Sequence, residues 1–556
     1  MEKRVNTKKP IGPTIIFPGS FWALLSLVAV TFLAYWPSLK SDFVYDARIE
    51  ILQEGFITSL SNLPAVLSLK VLGMNLMLAD RPGQILYLML NAAFWGKDPW
   101  GYHLGSNLLH AANAALLFVF LRRLAIAELS WLAEHNILRT EIAIGAVTLI
   151  FALHPIAVEP VSGINFSSDL LVTFFTLLAL LAATVFRVDH FGIAVGAGGV
   201  GTLCSFLAVS CKESGIAAAL LLIIYWFLFR RQEAKVPWLL FLGAAASATA
   251  AFLATRFLLA APGQAPLGYL GGSLSQVFLL QPRLWVFMMG KLLWPAGFSA
   301  DYTLQNLDGM GVSVAWPVLV VVILLQGWLA MKSRLGAMGV AIYWLGLATV
   351  SNFMPLHRAL ADRFYYLPLT GVAAQLLALL LMTLKSRFRF WLATGAALAA
   401  LLPLTLLTLA REEVFTNDLS LWADTLRVSP FSVIAYNNYG LALGRAGRLD
   451  EAISVYQKAL TLNSNFPDSH NNLAWTLLQK GELDGAITQC QRALEIDPHY
   501  ADAHENLGVA LFKKGDVEHA LAQFQQAAQL DPGNNQDREN LAGAEAVARR
   551  LQNKVR

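Results

Sequence analysis

Charge is the first thing this sequence is short of. Asp, Glu, Lys and Arg make up 14% of its 556 residues, where soluble proteins carry about 25%. That scarcity excludes an ordinary soluble enzyme and a disordered scaffold. Cysteine is scarcer still: Cys204, Cys211 and Cys490 stand alone, none at metal-ligand spacing. No disulfide framework or zinc site is implied. No stripe of Lys and Arg marks either half, so nucleic acid is not an expected partner. A small-residue cleavage motif is also missing after the first apolar run, Phe21 to Leu39, although Lys3, Arg4, Lys8 and Lys9 precede it. That is the pattern of an uncleaved first span.

What is there is apolar: 56% of residues are hydrophobic before glycine is counted. The charges are unevenly spread. Residues 411–556 hold 33 charged side chains with a net charge of −5, and residues 1–410 hold 45 with a net charge of +9. The first part has a membrane composition and the second a soluble one. Runs of about 20 mostly apolar residues, the length that crosses a bilayer core, lie near 20–39, 103–121, 141–157, 168–186, 191–210, 214–229, 237–255, 314–331, 336–354, 365–384 and 390–410. These are eleven expected spans. Segment 274–296 is interrupted by Pro282, Arg283 and Lys291 and is expected at the surface or as a re-entrant stretch. With the N-terminus inside, eleven spans put 16 of the 27 basic residues before residue 411 on the inner side, the bias that sets orientation. The C-terminal part then lies outside the cytoplasm. Twelve acids fall on that outer side, among them Asp42, Asp46, Glu50, Glu54, Asp80, Glu159, Asp169, Glu213, Asp301, Asp308 and Asp362. Their clustering at span ends points to a polar cavity opening there.

The C-terminal part repeats with a period of 34. Gly447, Gly481 and Gly515 are in phase, as are Ala452, Ala486 and Ala520, then Ala459, Ala493 and Ala527. Pro430, Pro498 and Pro532 share a further phase, with Ser464 in the remaining slot. Small residues where helices cross and a proline at each unit's end make the tetratricopeptide pattern. Three units are expected, 431–464, 465–498 and 499–532 (together 431–532), with a linker and degenerate leading helix over 411–430 and a capping helix over 533–556. Such arrays offer a concave face to a peptide or protein. Asn438, Asn472 and Asn506, beside Asn437 and Asn471, sit where a ligand backbone would be held.

Several motifs punctuate the apolar part, in order. They are Ser41-Asp42-Phe43-Val44-Tyr45-Asp46, Arg81-Pro82 through Gly101-Tyr102-His103, His154-Pro155 with Glu159 and Ser168-Asp169-Leu170-Leu171, Lys212-Glu213-Ser214, and Asp362-Arg363-Phe364-Tyr365-Tyr366. In this order and spacing the chain resembles the bacterial relatives of the transmembrane-and-tetratricopeptide O-mannosyltransferases, within the GT-C class of glycosyltransferases. The resemblance covers nearly the whole chain. It implies an all-α fold: a polytopic GT-C membrane domain over residues 1–410, followed by the repeat solenoid. It also implies a bacterial inner-membrane location with the repeats in the periplasm. The implied reaction is transfer of a sugar, with inversion, from a polyprenyl-phosphate-linked donor to a hydroxyl of a protein or glycan acceptor. The adjacent acid pair usual in the family's first loop is here Asp46-Ala47.

That chemistry needs a carboxylate to take the acceptor's proton and cations for the leaving lipid phosphate. Asp46 suits the first role. Arg81, His154, Lys212 and Arg363 suit the second, and Glu159, Asp169, Glu213 and Tyr366 complete the expected donor site. No cofactor is called for beyond the donor, and a divalent metal is left open. Two alternatives stand beside this enzyme: an oligosaccharide transferase of the O-antigen-ligase type, and a non-catalytic membrane-anchored repeat protein that assembles partners. The charge bias generates a test: a reporter fused after Arg556 is expected to be active only outside the cytoplasm, and activity of a cytoplasm-only reporter there would mean that segment 274–296 crosses.

Overall fold

The structure is a computed structural model that describes residues 18–53, 55–74, 76–128, 133–259, 272–307, 311–353, 358–531 and 535–555. Lys3, Arg4, Lys8, Lys9, Glu54, Asp308 and Pro532 lie outside the described residues. The described residues form helices and no strands, and they divide into two compact units. The first comprises residues up to Phe298 and Leu307–Asn417; the second comprises Ser299–Asn306 and residues from Asp418 on. This division falls seven residues beyond the boundary expected at 410.

The first unit begins with α1 (Pro18–Ala34), α2 (Leu63–Leu67), α3 (Pro82–Trp95) and α4 (Pro99–Glu128). Next come α5 (Ala133–Ala152), α6 (Val158–Ser162), α7 (Ser167–Val185), α8 (Phe191–Cys211), α9 (Ile216–Tyr225) and α10 (Lys235–Leu259). It closes with α11 (Leu274–Leu293), α12 (Val312–Lys332), α13 (Arg334–Ala348), α14 (Tyr366–Met382), α15 (Arg387–Ala399) and α16 (Leu401–Val414). Among the described residues eight stretches are long and apolar enough to cross a membrane, built on α4, α7, α8, α9, α10, α12, α14 and the joined α15–α16. The other three expected spans are less regular. The run at 141–157 is a pair, α5 and the short helices after it, bent by 49°. Pro155 cannot continue a helix, and His154 caps the new turn by accepting the Ile156 N–H at 3.2 Å. The runs at 20–39 and 336–354 become shorter apolar helices, Phe21–Ala34 and Arg334–Ala348. Segment 274–296 is the helix α11, with Pro282 inside it, and is not among the helices long and apolar enough to cross a membrane.

The crossing helices differ in how enclosed they are. The most apolar stretch of α14 is 78% buried, against 17% in α12, which leaves Val314, Val320, Val321, Leu324 and Leu325 exposed. So α14 is core, and α12 turns apolar side chains outward, as a lipid-facing helix does. Helices in lipid associate by close packing rather than by hydrophobic exclusion, which favours small residues at crossings. The α13–α14 crossing does this with Gly339 and Gly371. A Cβ on Gly371 would fall 2.6 Å from the Gly339 carbonyl oxygen.

The second unit contains α17 (Asp418–Val428) and the pairs α18 (Val433–Arg445) with α19 (Leu449–Leu462), α20 (Pro467–Lys480) with α21 (Leu483–Ile496), and α22 (Ala501–Lys514) with α23 (Val517–Leu530), then α24 (Asn535–Val555). Each expected repeat is one helix pair. Ala452, Ala459, Ala486, Ala493, Ala520 and Ala527 are all fully buried where the paired helices cross. Segment Ser299–Asn306 lies between α11 and α12 in sequence but is built into this unit. Asp301 Oδ2 accepts from Ser432 Oγ at 2.6 Å, Asn306 donates to the Val428 carbonyl at 2.9 Å, and the Ser299 and Ser429 hydroxyls meet at 3.0 Å. Asp301, expected among the acids of the membrane domain's outer face, thus belongs with the repeats.

Gly371→Ala is expected to force α13 and α14 apart and cost about 1–3 kcal/mol, read as a lower unfolding midpoint in detergent. Gly395→Ala, in α15 with nothing within 4 Å of the added methyl, should hold the midpoint or raise it slightly.

Candidate functional site

Lys212 stands in the tight turn between α8 and α9. The turn needs Gly215, where a Cβ would fall 2.2 Å from the carbonyl carbon of Ala208. Asp169 is in the first turn of α7. The Lys212 ammonium donates to both Asp169 oxygens, at 2.7 and 2.9 Å, and both side chains are buried. A second buried pair lies beside it. Glu159, on α6, accepts the backbone N–H of Arg363 at 2.8 Å on one oxygen and its guanidinium on the other. Arg363 sits in the single turn of 3-10 helix that opens α14. Burying a charge costs several kcal/mol unless a partner compensates it, so each pair fixes the other's loop.

Aromatic rings link these pairs into one chain of contacts. Lys212 Nζ lies 5.2 Å from the Phe364 ring centre, and the Arg363 guanidinium lies at 5.2 Å from the same ring. Arg363 also packs over Phe166 at 3.9 Å. Phe166 meets Tyr45 edge-on at 5.4 Å, and Arg358 covers Tyr45 at 4.9 Å. Cations over ring faces are attracted by the ring quadrupole. Burial first, and the charge of Arg363 second, pull the Arg358 pKa down. Tyr45 itself has φ = +64°, a conformation that costs a bulky residue about 1–3 kcal/mol. The half-buried Asp46 follows it directly, with its carbonyl accepting the N–H groups of Ile49 and Glu50. The expected catalytic loop and the expected phosphate cations are therefore joined through Tyr45 and Phe166.

Arg81, at the start of α3, acts electrostatically on Lys212 and Glu213. Arg256 bridges Glu213 at 3.4 Å and Asp80 at 2.8 Å. Asp42 pairs with Arg48. Two expected residues are otherwise engaged. His154 uses Nδ1 for its cap and places Nε2 3.2 Å from the Leu292 carbonyl. Tyr366 is fully buried, with its hydroxyl 2.6 Å from His110 Nδ1 and 3.1 Å from the Asn113 amide. That network ties α14 to α4. Near Asp169, the buried atoms Gln84 Oε1, Asn165 Oδ1 and Ser167 Oγ have no protein hydrogen-bond partner, each an outlay of about 1–3 kcal/mol unless satisfied. Among the described residues no group of three or more His, Cys, Asp and Glu side chains is placed to hold a metal ion. Sequence reasoning missed Arg358 and Arg256. Arg256 had a signal, a lone arginine at the end of an apolar run; Arg358 had only its position five residues before Arg363.

In the second unit the expected protein-binding asparagines form a ladder. Asn472 donates to Asn437 Oδ1 at 3.1 Å, Asn506 donates to Asn471 Oδ1 at 2.8 Å, and Asn438 Oδ1 accepts from Asn437 at 3.3 Å. Asn540 continues it with a bond to Glu505 at 2.7 Å. These side chains join the first helices of successive repeats. The family described as TPR repeat matches residues 440–480 and 476–515, and a further tetratricopeptide repeat matches 501–534. Residues 440–534 are tetratricopeptide repeats.

Over a longer span the curated relatives of the chain are named protein O-mannosyl-transferases. One from Caenorhabditis elegans is 23% identical over 80% of this chain and 63% of its own length. Tmtc1 of Drosophila melanogaster is 31% identical over 35% of this chain and 21% of its own, and TMTC2 of Homo sapiens is 30% identical over 28% and 17%. The chain thus spans less than two thirds of the relatives it matches. Among solved structures, the first tetratricopeptide domain of Spaghetti (RPAP3) bound to an HSP90 peptide is 22% identical over 21% of this chain and 92% of that one, with a TM-score of 0.21.

Asp169→Asn should strand the buried Lys212 charge and destabilise the protein by about 3–5 kcal/mol. Asp169→Asn combined with Lys212→Met should recover most of that loss in a thermal melt. Equal loss in the single and double variants would mean that the pair does not hold the loops.

Proposed function

We propose that this protein is a multi-pass membrane glycosyltransferase that moves a mannosyl group from a polyprenyl-phosphate-linked donor to a hydroxyl of a protein acceptor. The names of the relatives support the sugar and the acceptor class. One observation carries the reading. Cations from two loops, Lys212 on one and Arg358 and Arg363 on the other, gather with aromatic rings beside the loop of Asp46, and Arg81 lies in electrostatic range. In this mechanism the acceptor oxygen attacks the anomeric carbon while the Asp46 carboxylate takes its proton. The bond from that carbon to the phosphate oxygen breaks on the opposite side, so the configuration inverts. The charge growing on the lipid phosphate meets guanidinium and ammonium groups that are already oriented, which is the most effective form of electrostatic stabilisation. Gln84, Asn165 and Ser167 offer buried polar atoms to the sugar hydroxyls.

The basic-residue bias supports an outer-face site and repeats outside the cytoplasm. The repeat array would then hold the acceptor or a partner protein on its extended surface. Its asparagine ladder gives that surface a fixed curvature and leaves recognition to neighbouring side chains.

Transfer of radiolabelled mannose by the purified protein tests the reading. Asp46→Asn is expected to lower the rate about 10²–10⁴-fold with donor binding nearly intact. Asp42→Asn, whose carboxylate is tied to Arg48, should keep most of the activity. Arg358→Gln should weaken donor binding by about 1.5–3 kcal/mol, the worth of a charge-assisted hydrogen bond. An Asp46→Asn variant as active as the parent sinks the assignment of the base.

A further inference from the structure

Glu412 is a buried acid that no cation answers. It stands in the last turn of α16, 1% exposed, and its Oε1 accepts the Ser162 hydroxyl at 2.7 Å. Its other oxygen, Oε2, is buried and has no hydrogen-bond partner among the described residues. An ionised carboxylate offers about four lone-pair sites and, out of water, needs donors or a cation to fill them. Glu159, Asp169 and Asp362 have such cations in Arg363, Lys212 and Arg411. Glu412 has one hydroxyl.

The charged and titratable groups on the elements packed around it are engaged elsewhere. On α16 itself Arg411 turns to Asp362, 3.6 Å away, and Glu413 is exposed. On α6, Glu159 is held by Arg363. In the turn before α6, His154 has a contact at each ring nitrogen. Just after α1, Lys40 is exposed, and Tyr35 is fully buried in electrostatic range of Glu412, its hydroxyl also without a hydrogen-bond partner. His110, whose ring meets Tyr35 at 4.7 Å, bonds Tyr366 and the Ala152 carbonyl. On α5, Glu141 is paired with Arg122, and Arg139 stands beside it, well before the end where the Leu153 carbonyl meets Thr408 of α16. On α15, Arg387 and Arg389 stand in the first turn, at the far end of the joined α15–α16 stretch.

The helix end that Glu412 anchors also holds the loop of Asp46. The Phe415 N–H bonds the Glu412 carbonyl at 3.0 Å and closes α16. One residue further on, the Thr416 carbonyl accepts the Asp42 N–H at 3.0 Å. Asp42 opens the loop that carries Asp46, and its neighbours Ser41 and Phe43 are buried. Through Ser162 the same carboxyl ties this end to α6, whose Glu159 holds Arg363.

We propose that Glu412 keeps its proton at neutral pH, and that as a neutral carboxylic acid it is a positioning residue that fixes the end of α16 and, through Thr416, the loop of Asp46. A neutral acid suits the place: one oxygen accepts from Ser162, and no counter-charge is required. An ionised one does not, because a buried charge without a partner is driven toward water. When Glu412 loses its proton at higher pH, the end of α16 loosens from α6 and the Asp42 tether loosens with it. The consequence for transfer rests on the role given to Asp46; the proton and the tether do not.

Two measurements on the full chain in nanodiscs test this without reference to any activity. The first is infrared spectroscopy in heavy water at neutral pH. The parent should show the carbonyl stretch of a protonated carboxyl, Glu412→Gln should lack it, and Ser162→Ala should move it to higher frequency, because the carbonyl loses its donor. No such band, or one that neither variant changes, overturns the proposal; if Glu412→Gln does not fold, the Ser162→Ala shift decides. The second is amide hydrogen exchange of residues 41–50 from neutral to alkaline pH, scaled at each pH by the exchange rate of an unstructured chain. Protection in the parent should fall as Glu412 ionises, whereas Glu412→Gln, which keeps the neutral shape, should hold it. Equal profiles in the two proteins overturn the positioning role, and so does an equal loss of protection in α7, which would make Glu412 a general stabiliser. Transfer of mannose should fall in step with protection in the parent and persist to higher pH in Glu412→Gln. If neither protein transfers mannose while the band and the exchange behave as expected, the proposed function fails and the proton-held tether stands.

Discussion

Two buried ion pairs set the terms for the membrane unit. Asp169 with Lys212, and Glu159 with Arg363, join points far apart in the chain, and none of the four side chains is tolerable at that depth without its partner. The pairs define where the loops before α7, α9 and α14 must end. Once those loops are fixed, Phe166 and Phe364 have cations to pack against, and Tyr45 has a ring to meet. The strained backbone of Tyr45 is sustained by this arrangement, and Asp46 inherits its position from it. A site of this kind is built from mutual neutralisation first and chemistry second.

The apolar runs and the period of 34 were legible because each reflects a rule that acts along the chain. A bilayer asks for unbroken apolar length, and eight of the expected runs meet that demand in full. Where a run fell short, a local cause is visible: Pro155 breaks the third run into two bent pieces, and the first and ninth runs have fewer helical residues than their apolar stretch. The repeats were legible for a similar reason. An alanine recurs every 34 residues because a larger side chain would separate the helices there, and the six in-phase alanines are fully buried.

The candidate site was legible only in part, because its logic is spatial. That Asp46, Arg81, Lys212 and Arg363 belong to polar loops could be read from the chain. That Lys212 spends its charge on Asp169, 43 residues earlier, could not. His154 and Tyr366 carry the residue types that phosphate chemistry uses, yet one caps a turn and the other ties α14 to α4. The asparagines show the same limit. Their period is plain in sequence, but only coordinates reveal that a residue in one repeat bonds to its neighbour in the next, so that regular spacing served cohesion between repeats.

The eight residues from Ser299 to Asn306 give the second unit a discontinuous ancestry in the chain. Anyone who excised that unit at Asp418 would discard the carboxylate that Ser432 donates to and the amide that binds the Val428 carbonyl. The hydroxyls of Thr425, Ser429 and Ser432 would face solvent at the very edge from which the solenoid grows. The repeats are thus not an interchangeable cassette joined at one seam. A faithful transplant of the array would need the octapeptide grafted back ahead of α17.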